Sequence, residues 1–166
     1  MESSLRIRTV TTTDAFAALE PVWNPLLRNS ASDTIFLTWE WVHTWWQAYN
    51  KGKELCVLVA EEDGVAIGIA PFYRTRAFSF GIRARRHLEF IGSTGTCSEY
   101  LDFIIRQGRE DNVLRAMLHH LCTMPGDAWE VLNLCSMRKE AENLGRCRSF
   151  FSAAASASPM GTTNPL

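Results

Sequence analysis

The sequence lacks any run of about eighteen apolar residues of the kind that spans a bilayer, and its opening MESSLRIRTV holds no apolar stretch of signal-peptide length. No transmembrane segment is expected, and a cytoplasmic protein is. An excess of either charge is also missing: 17 Lys and Arg stand against 18 Asp and Glu, a formal net charge of −1. Without a general positive field no nucleic-acid partner is expected. Cysteines are present but not paired in sequence. They stand at 56, 97, 122, 135 and 147, none in a C-x-x-C, and the odd number leaves one over. Neither a zinc site nor a disulfide framework follows, and Cys56, Cys122 and Cys135, in apolar runs, are expected as small buried hydrophobes. His43, His87, His119 and His120 show no H-E-x-x-H spacing, so no metal is expected. Dinucleotide, Walker and nucleophile-elbow motifs are absent too.

What remains is an ordinary globular chain of 166 residues, 46% hydrophobic and 21% charged, one domain in length. Leu5 to Val10 alternates as a strand does, and Thr11 to Asp14 can cap a helix that Pro21 and Pro25 kink or split. Thr38 can cap a second helix, Trp39 to Tyr49. At about 100° per residue its polar side is narrow (Glu40, His43, Thr44 and Gln47), while Trp39, Trp41, Trp45 and Trp46 spread over the opposite half. That much aromatic surface exceeds what a small sheet covers from one side, so a further partner is expected there.

Leu55 to Ala60 reads as a strand covered on both faces, Asp63-Gly64 as a hairpin turn, and Val65 to Tyr73 as the returning strand. Further strands are predicted at Leu88 to Ile91, Tyr100 to Ile105 and Trp129 to Cys135. Between the last two lies a helix with a buried stripe at Val113, Leu114, Met117, Leu118, Leu121 and Cys122. Met137 to Cys147 is a polar helical candidate. From Ser149 to Leu166 the composition turns to Ala, Ser, Gly, Thr and Pro, which predicts a domain over 1–148 and a disordered tail over 149–166, as of a chain cut short or altered. The fold class expected is α/β (α+β): a mixed, mainly antiparallel sheet with helices on both faces.

The segment Phe36-Leu37-Thr38-Trp39-Glu40-Trp41-Val42-His43-Thr44-Trp45-Trp46 resembles the F-L-S-x-x-W-L-x-x-W-W segment of bacterial GNAT-like acetyltransferases linked to cellulose and exopolysaccharide biosynthesis, the CelD or BcsL type. Ile67-Gly68-Ile69-Ala70-Pro71-Phe72-Tyr73, Glu99-Tyr100-Leu101-Asp102-Phe103-Ile104 and Trp129-Glu130-Val131-Leu132-Asn133-Leu134 follow in the same order, and the likeness runs from roughly residue 16 to 136. The resemblance implies a GNAT-like fold, acetyl-coenzyme A as cosubstrate and a small-molecule, sugar or amine acceptor. It also implies that this is the first of two GNAT-like halves. In such proteins and in their distant FemABX relatives the second half holds the acyl donor. The expected partner is accordingly a second GNAT-like domain, or a second copy of the chain, against the Trp39–Tyr49 helix.

The residues leave the chemistry open. The pyrophosphate turn [QR]-x-x-G-x-[GA] of self-sufficient GNAT enzymes is absent, since no glycine has Gln or Arg three places before it. Gly108 and Arg109, at a strand-to-helix junction, could receive an anion, although Glu110 and Asp111 oppose one. Tyr100 and Asp102, two apart on a predicted strand, share a face. Tyr100 could donate to a leaving group and Asp102 could orient or deprotonate a substrate. The structural alternative makes Tyr100 a rim residue and Asp102 a turn cap or an arginine's partner. Arg74, Arg76, Arg83, Arg85 and Arg86 with His87 form a basic cluster in which Arg85 and Arg86 could bind phosphate, or else guard a solvated hairpin edge. Trp39 and Trp46 could line a sugar groove or pack in the core. Two functions follow: an incomplete acyltransferase, or a noncatalytic half that binds or scaffolds.

Overall fold

A computed structural model describes residues 4–79, 83–93, 95, 98–126 and 128–157. The elements run β1 (Leu5–Val10), α1 (Thr13–Ala17), α2 (Glu20–Arg28), a 3-10 turn (Ile35–Leu37), α3 (Trp39–Tyr49), β2 (Lys53–Leu55), β3 (Val57–Glu62), β4 (Val65–Ala70), β5 (Phe72–Ser79), β6 (Arg83–Phe90), β7 (Ile104–Ile105), α4 (Glu110–Thr123), β8 (Val131–Asn133) and α5 (Glu142–Ala157). They form the mixed, mainly antiparallel α/β arrangement expected, in two four-stranded sheets ordered β1-β3-β4-β7 and β2-β5-β6-β8.

Two predicted strands prove to be strand pairs, and this divides the sheets. Leu55 to Ala60 breaks at Cys56 into β2 and β3, and Val65 to Tyr73 breaks at Pro71 into β4 and β5. Proline has no N–H for a ladder, and the backbone bonds around it are made across the break: Cys56 N donates to the Phe72 carbonyl at 3.0 Å and Ile91 N to the Pro71 carbonyl at 2.7 Å. Both arms of the hairpin thus pass from one sheet into the other at the same level. The arginine-rich stretch becomes the long β5–β6 hairpin. β8 then pairs with β6 in parallel, ending at Glu89 opposite Asn133.

The first helical region splits ahead of Pro21, which lies in the first turn of α2, whereas Pro25 sits inside α2 without breaking it. Thr12 and Thr38 cap α1 and α3 by accepting from Ala15 N and Trp41 N. Helix α4 turns Val113, Leu114, Met117, Leu118 and Leu121 into the core. At Gly68 of β4 it comes so close that a Cβ would stand 2.5 Å from Val113 Cγ1. Contrary to the burial expected of them, Cys122 and Cys135 are exposed, whereas Cys56 is buried as expected and Cys147 is buried too; Cys97 lies outside the described residues.

Three further expectations need correction. Three of the four tryptophans of α3 are covered within the chain, Trp39 and Trp46 each 5% exposed and Trp45 3%, while Trp41 is half-buried. The chain covers them itself, with Phe16 and Trp23 against Trp39 at ring separations of 5.0 and 5.5 Å and Tyr73 against Trp45 at 5.5 Å. A sheet alone would not cover this aromatic surface, and α1 and α2 supply the rest through Phe16 and Trp23. Second, residues 149–157 are not a disordered tail but the continuation of α5. Alanines favour the helix, and Phe150 and Phe151 pack against the core. Residues 158–166 of the expected tail lie outside the described residues. Third, the strand expected over Tyr100 to Ile105 shrinks to β7, because Tyr100 has a left-handed φ of 61° that no strand accommodates.

Candidate functional site

The segment that fails to be a strand builds a cleft of about 730 Å³ between three pieces of chain: the loop before the 3-10 turn, residues 100–102, and the approach to α5. Asp102 lies at its base. Its Oδ1 accepts from Phe103 N at 2.7 Å and from Asn143 Nδ2 at 3.1 Å. Burial pushes the Asp102 carboxyl above its ordinary value, opposed by the bonds from Asn143, from the Phe103 amide and from Ser32, and by the charge of Arg146. Tyr100 stands at the rim, 41% exposed, with the Arg138 guanidinium 3.9 Å from its ring centroid. A bulky residue with positive φ is a strained one, and such strain persists where the surroundings hold it in place. Tyr100 and Asp102 both line the cleft, but from a bent loop and not from one face of a strand.

The charge of the cleft has a direction. Asp33, Asp102, Glu110, Glu140 and Glu142 line it against Arg138 and Arg146, and Arg146 is already engaged by Asp111 at 2.6 Å and Glu142 at 3.0 Å. Such a lining favours a cationic group.

Gly108 and Arg109 lie elsewhere. Gly108 has φ 79° with open space at its Cβ position, which allows backbone approach. Arg109, however, is paired with Glu62, and the first turn of α4 carries Glu110 and Asp111. Carboxylates already occupy the positive end of that helix dipole, so the residues present do not fit a coenzyme pyrophosphate there. Trp39 and Trp46 are core residues, each 5% exposed. Arg86 lines a second groove with Arg74 and Arg76, whereas Arg85 is exposed one register position away. The Arg83 side chain lies outside what is described.

Sequence reasoning missed a second polar centre. Glu89, 6% exposed, sits on the last rung shared by β6 and β8. It accepts from Tyr73 Oη at 2.7 Å, Ser93 Oγ at 3.1 Å and Asn133 Nδ2 at 3.4 Å, with His87 Nδ1 3.7 Å away. A carboxylate between Leu88 and Phe90 in an apolar strand was the available signal. Its partners are protein groups and its exposure is slight, so it serves as a satisfied polar node between the parting strands.

No family model matches the chain, and no curated protein does. Among solved structures, an integron cassette protein from the mobile metagenome of V. cholerae overlays with TM-score 0.48 at 15% identity, over 98% of this chain and 92% of that one. A transcriptional regulator from Bacillus halodurans gives 0.47 at 11% identity over 98% and 100%. A glucosamine-6-phosphate N-acetyltransferase from Arabidopsis thaliana gives 0.42 at 10% identity over 98% and 98%. None of the three transfers a residue role to this chain.

Proposed function

We propose that the chain is a GNAT-like acyltransferase module, of the exopolysaccharide-linked type that its sequence resembles, and that an amine acceptor binds in the Asp102 cleft. One observation carries the reading: a carboxyl raised above its ordinary value by burial opens onto a cleft whose charged lining residues are mainly acids. An amine arrives at neutral pH as an ammonium and must lose a proton before it can attack a carbonyl. The acidic lining draws the cation in, and Asp102, more basic than an exposed aspartate, accepts the proton. Tyr100, held over the rim by Arg138, offers a hydroxyl to whatever leaves. In the family resembled, the acyl group comes from acetyl-coenzyme A.

A second reading has its own support. The first turn of α4 repels a pyrophosphate through Glu110 and Asp111, which favours a noncatalytic half that binds the acceptor while another GNAT-like domain holds the donor. Thiol release from acetyl-coenzyme A, followed with the full chain over a panel of amines and amino sugars, separates the two. Amine-dependent release that disappears in Asp102→Asn supports the first reading. Amine binding without release supports the second, and an absence of amine binding overturns both.

A further inference from the structure

A groove of about 510 Å³ on the β2-β5-β6-β8 sheet is lined by Glu54, Arg74, Arg76 and Arg86, with Lys53 and Ala128 at its margin. Register places the four charged side chains on one face, Glu54 opposite Arg74 and Arg76 opposite Arg86. The Lys53 ammonium is engaged elsewhere, donating to the Tyr49 carbonyl at 2.8 Å. Arg74 and Arg86 each keep a buried Nε without a hydrogen-bond partner among the described residues. Among the described residues the Arg74 guanidinium pairs with Glu54, at 3.6 Å, and that carboxylate is 75% exposed. Glu130 is near, but its Oε2 accepts from the Arg86 backbone amide at 3.0 Å.

Edge protection explains charges on an outer strand. It does not explain Arg74, whose strand β5 has β2 on one side and β6 on the other. Nor does it explain two arginines directly opposite one another, a pairing that costs stability. The arrangement is the one a multiply charged anion would relieve, because among the described residues that line the groove three guanidiniums and the Lys53 ammonium face one carboxylate, Glu54. Beyond Arg74 and Ala128, which line both, a second groove of about 420 Å³ continues between Thr9, His120, Met124 and Pro125.

We propose that Arg74, Arg76 and Arg86 bind the phosphate or pyrophosphate group of an organic ester whose body lies in the groove beyond Arg74. Planar guanidinium forks suit phosphate oxygens bidentately. The site shares no lining residue with the Asp102 cleft and does not depend on the acyl-transfer reading.

Calorimetric titration of the full chain with inorganic pyrophosphate, ADP and citrate tests it. Saturable binding of pyrophosphate or ADP is expected, with a Kd below about 1 mM. Arg74→Gln and Arg86→Gln should each weaken it about tenfold or more, the usual effect of losing a charge-assisted bond. Arg85→Gln, an exposed change on the opposite face, should leave it unchanged. Tighter binding of ADP than of pyrophosphate puts the organic body in the second groove, and equal binding confines recognition to the phosphates; either supports the site. Citrate binding as tightly as ADP, Arg85→Gln weakening binding as much as Arg86→Gln, or no saturation by about 10 mM would overturn it. Melting temperatures of the arginine variants no lower than the unsubstituted chain's, as relief of like-charge repulsion predicts, keep lost binding apart from lost folding.

Discussion

Asn143 Nδ2 donates to Asp102 Oδ1 at 3.1 Å, so the second residue of α5 is tied to the loop that precedes β7. Both residues are remote from each other in sequence, and the bond joins the two walls of the cleft. Asp102 is thus held in place and lifted above its ordinary value at once, because the same docking of α5 that supplies the bond removes water from the carboxyl.

Replacing Asp102 by Asn separates chemistry from stability. A carboxyl raised on folding contributes stability below its unfolded value, ordinarily 3.8, and loses that contribution as pH rises through the folded value. Asp102→Asn is therefore expected to be at least as stable as the unsubstituted chain at pH 7 and to lack the fall in stability that the unsubstituted chain shows on leaving acid. Any acyl transfer should drop about a hundredfold or more. Urea denaturation across that pH range, paired with the thiol-release assay, checks both; a less stable Asn variant at pH 7 would show that the ionised form is the one the fold favours.

Asn143→Ala removes a donor to Asp102 and should cost about 1–3 kcal/mol. Because that bond lowers the Asp102 value, its loss should push the carboxyl higher still. Carboxyl chemical shifts followed over pH would register the move, and an unchanged or lowered titration would contradict it.

Gly68→Ala places a Cβ 2.5 Å from Val113 Cγ1 and 3.1 Å from Met117 Cε. Val113 is β-branched and stiff, so α4 itself must yield, at about 1–3 kcal/mol. Adding Val113→Ala should recover part of the loss; a double variant no better than the sum of the two single changes would show that the contact is not the cause.

Burial pushes the Cys56 thiol up to about 11 and the Cys147 thiol to about 12, the latter helped by the charge of Asp102. Both are neutral in the folded chain where an unfolded thiol, near 9.0, would ionise. Their contribution is complete below pH 9 and is lost as pH climbs through the folded values, with about 3 kcal/mol at stake for Cys56. Denaturation above pH 9 should show this alkaline decline, and Cys56→Ala should flatten it. Under native conditions Cys122 and Cys135, both exposed, should react with a thiol reagent well before Cys56 and Cys147.

Much of the fold can be read from local pattern. Thr38 before four tryptophans marks the start of α3, Pro21 stands at the start of α2, and Asp63-Gly64 turns β3 into β4, because each is decided by residues within one turn of the chain. What escapes is decided at a distance. The sheet change at Cys56 and Pro71 depends on two arms crossing together, and the cover over Trp39 and Trp45 comes from Phe16, Trp23 and Tyr73. The site follows the same rule. Tyr100 and Asp102 are recognisable as a pair, but the bend at Tyr100 and the arrival of Asn143 and Arg146, which make the cleft, come from the docking of α5. Glu89 was hidden because its partners Tyr73 and Asn133 are cross-strand neighbours.

The most direct test is calorimetric titration of the full chain with a small amino sugar and with its neutral N-acetylated analogue. The account predicts saturable binding of the amine with a Kd below about 10 mM, lost in Asp102→Asn and absent for the neutral analogue. Equal binding of amine and analogue, or amine binding that survives Asp102→Asn, would contradict it.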